Sequence, residues 1–142
     1  MLDQVEIFDG LGPDDLATLE QSSSSQTYPK NTVVIQENEP ADALYVIESG
    51  RVKVYCSDKN GKEFIMNSLG VGDYFGELAL LDDSARSASV RTLEPCQFRV
   101  VKKEDFSRVL ADNPDITQQL MGNLAARVRK LTTDVKNLAL QD

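Results

Sequence analysis

The centre of this 142-residue chain consists of short β-rich segments separated by turn residues. The segment RVKVYC alternates polar and apolar residues, as a half-buried strand does, and Asn60-Gly61 is a strong hairpin signal. Many short strands joined by regular turns restrict such a domain to a sandwich, a roll or a barrel. The predicted strands span residues 32–35, 43–47, 51–56, 63–69, 89–93 and 96–101.

Helical patterns flank this β-rich region on both sides. Residues 1–21 predict short helices, and the serines of 22–25 predict a solvated connection. Residues 103–110 predict another short helix, and Asn113-Pro114 is typical of an N-cap and first helical residue. The helix that follows runs to the end of the chain, which divides the chain into a β domain with N-terminal helices (1–112) and a long helix (113–142).

The long helix carries an apolar stripe with the spacing of a coiled-coil seam. Two interpretations are open: the helix lies on its own domain, or it overhangs the domain and pairs with a second copy. Because the helix is long for so small a domain, we expect a homodimer. The stripe, at steps of 4, 3, 4 and 3, consists of Leu124, Val128, Leu131, Val135 and Leu138.

Composition excludes several classes of function. The net charge of −8 argues against nucleic-acid binding by this chain itself. The absence of histidine argues against histidine-based metal sites, a His-ligated haem and a Ser-His-Asp triad. Two cysteines without a CxxC pattern cannot hold an iron–sulfur cluster and indicate free thiols in a reducing, cytoplasmic setting. We expect no metal, no membrane span and no catalysis; a cupin-type enzyme would need the missing histidines.

The stretch FGELALLDDSARSASV, residues 75–90, has the residues of a sugar-phosphate site. Gly76 permits a sharp turn into a helix whose first N–H groups, from about Leu78 and Ala79, are unpaired and suit an anion. Arg86, among very small neighbours, adds a planar guanidinium that matches phosphate oxygens. Glu77 would repel a phosphate unless it accepted from a donor such as a ribose hydroxyl. The alternative is a salt bridge between Glu77 and Arg86 across a loop.

This stretch, together with TYPKNTVVIQENEPADALYVIESGRVKVY before it, resembles the phosphate-binding cassette and surrounding sequence of cyclic nucleotide-binding domains. The resemblance implies a mainly β fold with flanking helices, a jelly-roll-like or double-stranded β-helix roll that ends in a long helix. It also implies cAMP or cGMP as a regulatory ligand. Asn31 and Asn38 stand where the family often has glycine, and Asn tolerates the left-handed conformation that those turns need.

The resemblance also implies a role for each cassette residue. Arg86 would pair with the cyclic phosphate, and Glu77 would accept from the ribose 2′-OH. The other expected contacts are backbone groups or a small hydroxyl around the ribose and phosphate, from Gly76, Leu78, Ala79, Ser87 and Ala88.

The C-terminal part, NLAARVRKLTTDVKNLALQD, is similar to the dimerisation helix of Crp/Fnr-type regulators. There a polar pair on the helix contacts the base, and Thr132-Thr133 is placed at the matching position; the alternative is an ordinary polar helix surface. We therefore expect the sensor half of a transcription regulator, with DNA as a partner only if a helix-turn-helix domain follows. The alternatives are a free-standing regulatory subunit that acts on another protein, and a dimerisation module without a cognate ligand.

Overall fold

In the part of the chain that the structure describes, four α-helices lie outside or between the strands. The structure is a computed structural model, which describes residues 2, 5 and 8–141, without the side chain of Leu78. The helices are α1 (Pro13–Ser22), α2 (Glu77–Leu81), α3 (Lys103–Asp112) and α4 (Pro114–Ala139). Pro13 and Pro114 each occupy the first turn of their helix, where the missing N–H costs no hydrogen bond.

Eight strands of the described chain form two antiparallel four-stranded sheets. The first sheet has the order β1-β8-β3-β6 and the second has the order β2-β7-β4-β5. Neighbours within a sheet are therefore mostly distant in sequence, as in a roll and not in a simple meander. The strands are β1 (Ser24–Tyr28), β2 (Val33–Ile35), β3 (Ala43–Ser49), β4 (Val52–Ser57), β5 (Glu63–Leu69), β6 (Tyr74–Phe75), β7 (Ser89–Thr92) and β8 (Cys96–Lys102).

Strand β3 separates two hydrophobic cores because its side chains alternate between the faces of the first sheet. Leu44 and Val46 pack with the helices, in a core that also holds Phe106 of α3 and Ile116 of α4. Tyr45 and its neighbours on the other face pack between the two sheets. That inter-sheet core consists of Ala43, Tyr45, Ile47, Val52, Phe75, Val90, Cys96, Phe98 and Val100.

The predicted fold class is confirmed, with two differences in the strands. The six predicted strands are present, with shifts of one or two residues at some ends. The predicted loop at 22–25 was wrong, because its last two serines begin β1, an exposed polar strand held by antiparallel pairing with β8. The two-residue strand β6 was not predicted. Asn31 and Asn38 have φ values of 66° and 73°, so both occupy the expected left-handed turns.

The two cysteines are free thiols, as expected. Cys96 is buried and Cys56 is half-buried. Burial raises the pKa of both thiols above the ordinary value of 9.0, and the nearby Glu37 and Glu94 carboxylates raise it further. Both thiols are therefore protonated at neutral pH, which lowers their reactivity.

Candidate functional site

Gly76 is the N-cap immediately before helix α2, and no other residue type fits that position without strain. Gly76 has φ +92°, in the left-handed region that residues with a Cβ rarely adopt. A Cβ built there would lie 2.6 Å from Nη1 of Arg86 and 3.2 Å from the carbonyl oxygen of Ala43. The glycine therefore lets the backbone turn into α2 and lets the Arg86 guanidinium approach that backbone.

The Arg86 side chain is buried, with 4% of its surface exposed, and is fixed by two main-chain carbonyls. Its Nη1 donates to the oxygen of Gly76 at 2.7 Å, and its Nη2 donates to the oxygen of Ala43 at 2.8 Å. The guanidinium thus ties the start of α2 to β3. The guanidinium can lie this close to the backbone because Gly76 has no Cβ.

Burial is the largest influence on the charge of Arg86 and lowers the pKa of its guanidinium. Tyr45 and the carboxyl groups of Asp42 and Glu77 act in the opposite direction. An arginine nonetheless keeps its proton in a protein. The site therefore contains a buried, permanent positive charge.

Glu77 is paired with a residue that the sequence did not single out. Its carboxylate is 4% exposed, and Oε1 accepts from Nη1 of Arg127 on α4 at 2.5 Å. The alternative of a Glu77–Arg86 salt bridge is therefore wrong. The pair joins the first residue of α2 to the middle of α4, 50 residues further along the chain.

A cavity of about 330 Å³ lies between the second sheet, the α2 region and α4. Its size is within the usual range for small-molecule sites. Six of the predicted ligand residues line it: Gly76, Glu77, Ala79, Arg86, Ser87 and Ala88. The backbone of Leu78 belongs to α2, between Glu77 and Ala79.

Four residues of α4 also line the cavity, and none of them was a predicted ligand residue. Arg127, Lys130, Leu131 and Asp134 have the spacing i, i+3, i+4 and i+7, so they share one face of the helix. Three of the four are charged, which is the signal that could have separated this face from the apolar stripe beside it.

The predicted base-contacting threonines do not line this cavity within one chain. Thr132 lies on a separate, open groove with Val128, Leu131 and Val135, and its hydroxyl donates to the carbonyl oxygen of Val128. Thr133 lines neither space. Leu131 lies between the cavity and the open groove and lines both of them.

The apolar stripe of α4 is exposed from Val128 onward. Val128, Leu131, Val135 and Leu138 are each 57–67% exposed. Leu124, at the start of the predicted stripe, is half-buried and packs against the helical core of its own domain. The uncovered part of the stripe therefore begins one turn later than the sequence indicated.

Two features are absent from the part of the chain that the structure describes. No helix there is long and apolar enough to cross a membrane. Among the same residues, no group of acidic residues or cysteines is arranged to hold a metal ion.

Comparisons with known proteins give consistent matches. A family profile described as the cyclic nucleotide-binding domain matches residues 25–113. The whole chain is 31% identical over 142 residues to the CRP-like cAMP-activated global transcriptional regulator of Mycobacterium tuberculosis, of which it covers 63%. It is thus similar to a regulator of which it spans under two thirds.

Solved structures agree with this similarity. The catabolite activator protein of Thermus thermophilus matches with a TM-score of 0.82 at 28% identity, over 94% of this chain and 62% of that one. The sensor domain of the transcriptional regulator DNR from Pseudomonas aeruginosa matches with a TM-score of 0.84 at 27% identity, over 93% and 89%.

Proposed function

Because this chain belongs to the cyclic nucleotide-binding domain family, we propose that it is a sensor that binds a cyclic nucleotide in the cavity beside α2. We further propose that it acts as the sensor part of a Crp/Fnr-type regulator and passes the signal on through α4. Its role is regulatory binding and not catalysis. The M. tuberculosis relative is named as cAMP-activated, which makes cAMP the reference ligand for the first test.

The observation that carries the proposal is the buried, pre-positioned guanidinium of Arg86 at the cavity wall. A guanidinium has five N–H donors, and the carbonyls of Gly76 and Ala43 use one donor on each terminal nitrogen. The other donors remain for an anion in the cavity. A buried cation without a bound counter-ion is costly, so a phosphate gains charge-assisted hydrogen bonds there.

Glu77 supports a ribose next to that phosphate. Among the described residues, Arg127 is its hydrogen-bond partner and uses Oε1. The second carboxylate oxygen can accept from a ribose 2′-OH without breaking the ion pair. Arg127 also offsets the negative charge of Glu77, which would otherwise repel a phosphate bound nearby.

The remaining cassette contacts are part of the same proposal. Backbone N–H groups of Leu78 and Ala79 at the start of α2, and the backbone of Gly76, would surround the ribose and phosphate. Ser87 is exposed at the cavity and would add its hydroxyl, and Ala88 would add its N–H.

We also propose a homodimer formed through the exposed stripe of α4. Uncovered apolar side chains at steps of 3, 4 and 3 are the pattern of a two-helix seam. Thr132 faces the groove on this stripe, so it would reach a nucleotide only in the partner's cavity. The same condition applies to Thr133, which lines no space within one chain.

The test is calorimetry with cAMP on the wild type and on Arg86→Gln. Losing one partner of a buried charged contact costs about 2–5 kcal/mol, so Arg86→Gln should weaken binding by at least about 30-fold. The control is Arg91→Gln, which removes another arginine outside the cavity that pairs with Glu63. Circular dichroism checks that each variant is folded. Unchanged affinity in a folded Arg86→Gln would refute the proposed site.

A further inference from the structure

A methionine lies at the cavity on the outermost strand of the second sheet. Met66 belongs to β5, which is paired on one side only, with β4. Val54 of β4 pairs with Asn67. The next residue of β4 pairs with Ile65, so Met66 is the extra residue of a β-bulge. Its side chain is 61% exposed and also lines the cavity, so its thioether is open to solvent and part of the cavity wall.

The cavity wall that contains Met66 is mainly apolar. The other side chains that the second sheet places there are Ile35, Val54, Leu69, Val90 and the polar Asn67. A thioether suits such a wall, because it is a flexible, mainly apolar group that fills irregular gaps. A sulfoxide suits it poorly, because its oxygen is polar and loses its water when a ligand covers it. Oxidation of Met66 therefore changes a surface that a bound nucleotide must cover.

The other sulfur atoms of the described residues are less suited to such a role. Cys96 is buried and Cys56 is half-buried, and both thiols are protonated at neutral pH, whereas the thiolate is the reactive form. Met121 is 58% exposed, but it does not line the cavity. Among the sulfur-containing side chains that the structure describes, Met66 is thus the one that is both exposed and at the cavity.

We infer that Met66 is an oxidation site through which a hydroperoxide lowers the affinity of the cavity for its nucleotide. The Met66 sulfur attacks one oxygen of the hydroperoxide, so that an S–O bond forms and the O–O bond breaks. The sulfur loses two electrons and the peroxide gains them. The proton of the transferred oxygen passes to the leaving oxygen, which departs as water or an alcohol. Methionine sulfoxide reductases reverse such a modification. This inference rests on the proposed function, because it concerns the same cavity.

The first test treats the wild-type chain with hydrogen peroxide at neutral pH and measures the binding of cAMP and cGMP by calorimetry. Burying an uncompensated polar group is unfavourable enough that the oxidised chain should bind the tighter nucleotide at least about fivefold more weakly. Peptide mapping by mass spectrometry should find one added oxygen at Met66. Treatment with methionine sulfoxide reductases should restore the affinity.

The second test assigns the loss of affinity to Met66. Met66→Leu conserves the volume and the apolar character of the side chain, so it should bind nucleotide nearly as the wild type does and keep that affinity after peroxide. Met66→Gln introduces a polar group without an oxidant and should weaken binding at least about fivefold. The matched control is Met121→Leu, which should lose affinity on oxidation as the wild type does. Circular dichroism checks that each variant is folded.

The third test uses the nucleotide as a shield. A saturating cyclic nucleotide should slow the oxidation of Met66 several-fold, because it covers the cavity wall. The same nucleotide should slow the oxidation of Met121 less, because that residue lies outside the cavity. Mass spectrometry of the two peptides at timed intervals gives both rates from one sample.

The outcomes separate this inference from the proposed function. If the untreated chain binds a nucleotide but peroxide leaves Met66 unmodified or the affinity unchanged, the inference is overturned and the proposed function stands. The same holds if Met66→Leu loses affinity on treatment as the wild type does, or if the nucleotide shields both methionines equally. If the untreated chain binds neither cAMP nor cGMP, both are overturned.

Discussion

The ion pair between Glu77 and Arg127 joins α4 to the start of α2, and we predict that it contributes measurably to stability. Three variants isolate it: Glu77→Gln, Arg127→Gln and the double substitution. Removing Arg127 leaves a carboxylate that is 4% exposed without its partner, whereas removing Glu77 leaves a guanidinium that is 49% exposed. Water solvates the half-exposed guanidinium better than the buried carboxylate, so Arg127→Gln should be the more destabilising single change.

The expected coupling free energy follows from the burial of Glu77 and the partial exposure of Arg127. Breaking a fully buried pair from one side costs about 3–5 kcal/mol, and an exposed pair contributes about 0–1 kcal/mol. With one partner buried and the other half-exposed, the coupling free energy should be about 1–2 kcal/mol. Urea unfolding of the wild type and the three variants gives it as a double-mutant cycle. The protein concentration must be fixed, because the stability of a dimer depends on it.

A matched control is available two residues along α4. Arg129 is exposed and has no described partner, so Arg129→Gln should change the free energy of unfolding by less than about 0.5 kcal/mol. A coupling below about 0.3 kcal/mol, equivalent to additivity, would refute the structural link between Glu77 and α4. Equal costs for Arg127→Gln and Arg129→Gln would refute it as well.

Three further variants test the left-handed glycine before α2, the proposed dimer and the ion pair of Glu63. Gly76→Ala forces a Cβ into a left-handed position against the Arg86 guanidinium. It should lower the free energy of unfolding in urea by about 1–3 kcal/mol and weaken nucleotide binding at least tenfold. Unchanged stability and affinity would contradict the close approach of Arg86 to Gly76. Val135→Asp, on the exposed stripe but outside the cavity, should sediment as a monomer and bind nucleotide more weakly, because coupling is reciprocal. A monomer with unchanged affinity would show that the dimer contributes nothing to the site. Glu63 has its pKa lowered, chiefly by the hydrogen bond from Lys53, below the ordinary value of 4.5. Its contribution to stability is therefore complete above pH 4.5 and is lost as the pH falls through the lowered pKa. Glu63→Gln should flatten the acid side of the stability–pH curve. An unchanged curve would contradict this.

Local sequence patterns predicted most of the strands and the cassette, because both are encoded by residues that lie close together in the chain. Alternation and turn residues located six strands, and the spacing of Gly76, Glu77 and Arg86 placed three cavity residues together. Strand β1 was missed because its side chains are polar and mostly exposed. Backbone pairing with β8 holds it in place, and a hydrophobic pattern cannot show such pairing.

The contribution of α4 could not be predicted because it depends on how the helix packs. One step along a helix turns the side chain by about 100°, so the residue that faces a cavity is set by tertiary contacts. Leu131 faces the cavity, and Thr132 is turned towards the open groove. The contact of Arg127 with Glu77 spans 50 residues and likewise follows from the packing of α4 on the domain.

The most direct test of the proposed nucleotide site is a crystal structure of this chain with a cyclic nucleotide. We expect the phosphate oxygens to lie about 3 Å from the nitrogens of Arg86 and Glu77 to accept from the ribose 2′-OH. The base should then lie against the side of α4 that lines the cavity. A nucleotide bound outside this cavity, or inside it with its phosphate away from Arg86, would refute the proposed site.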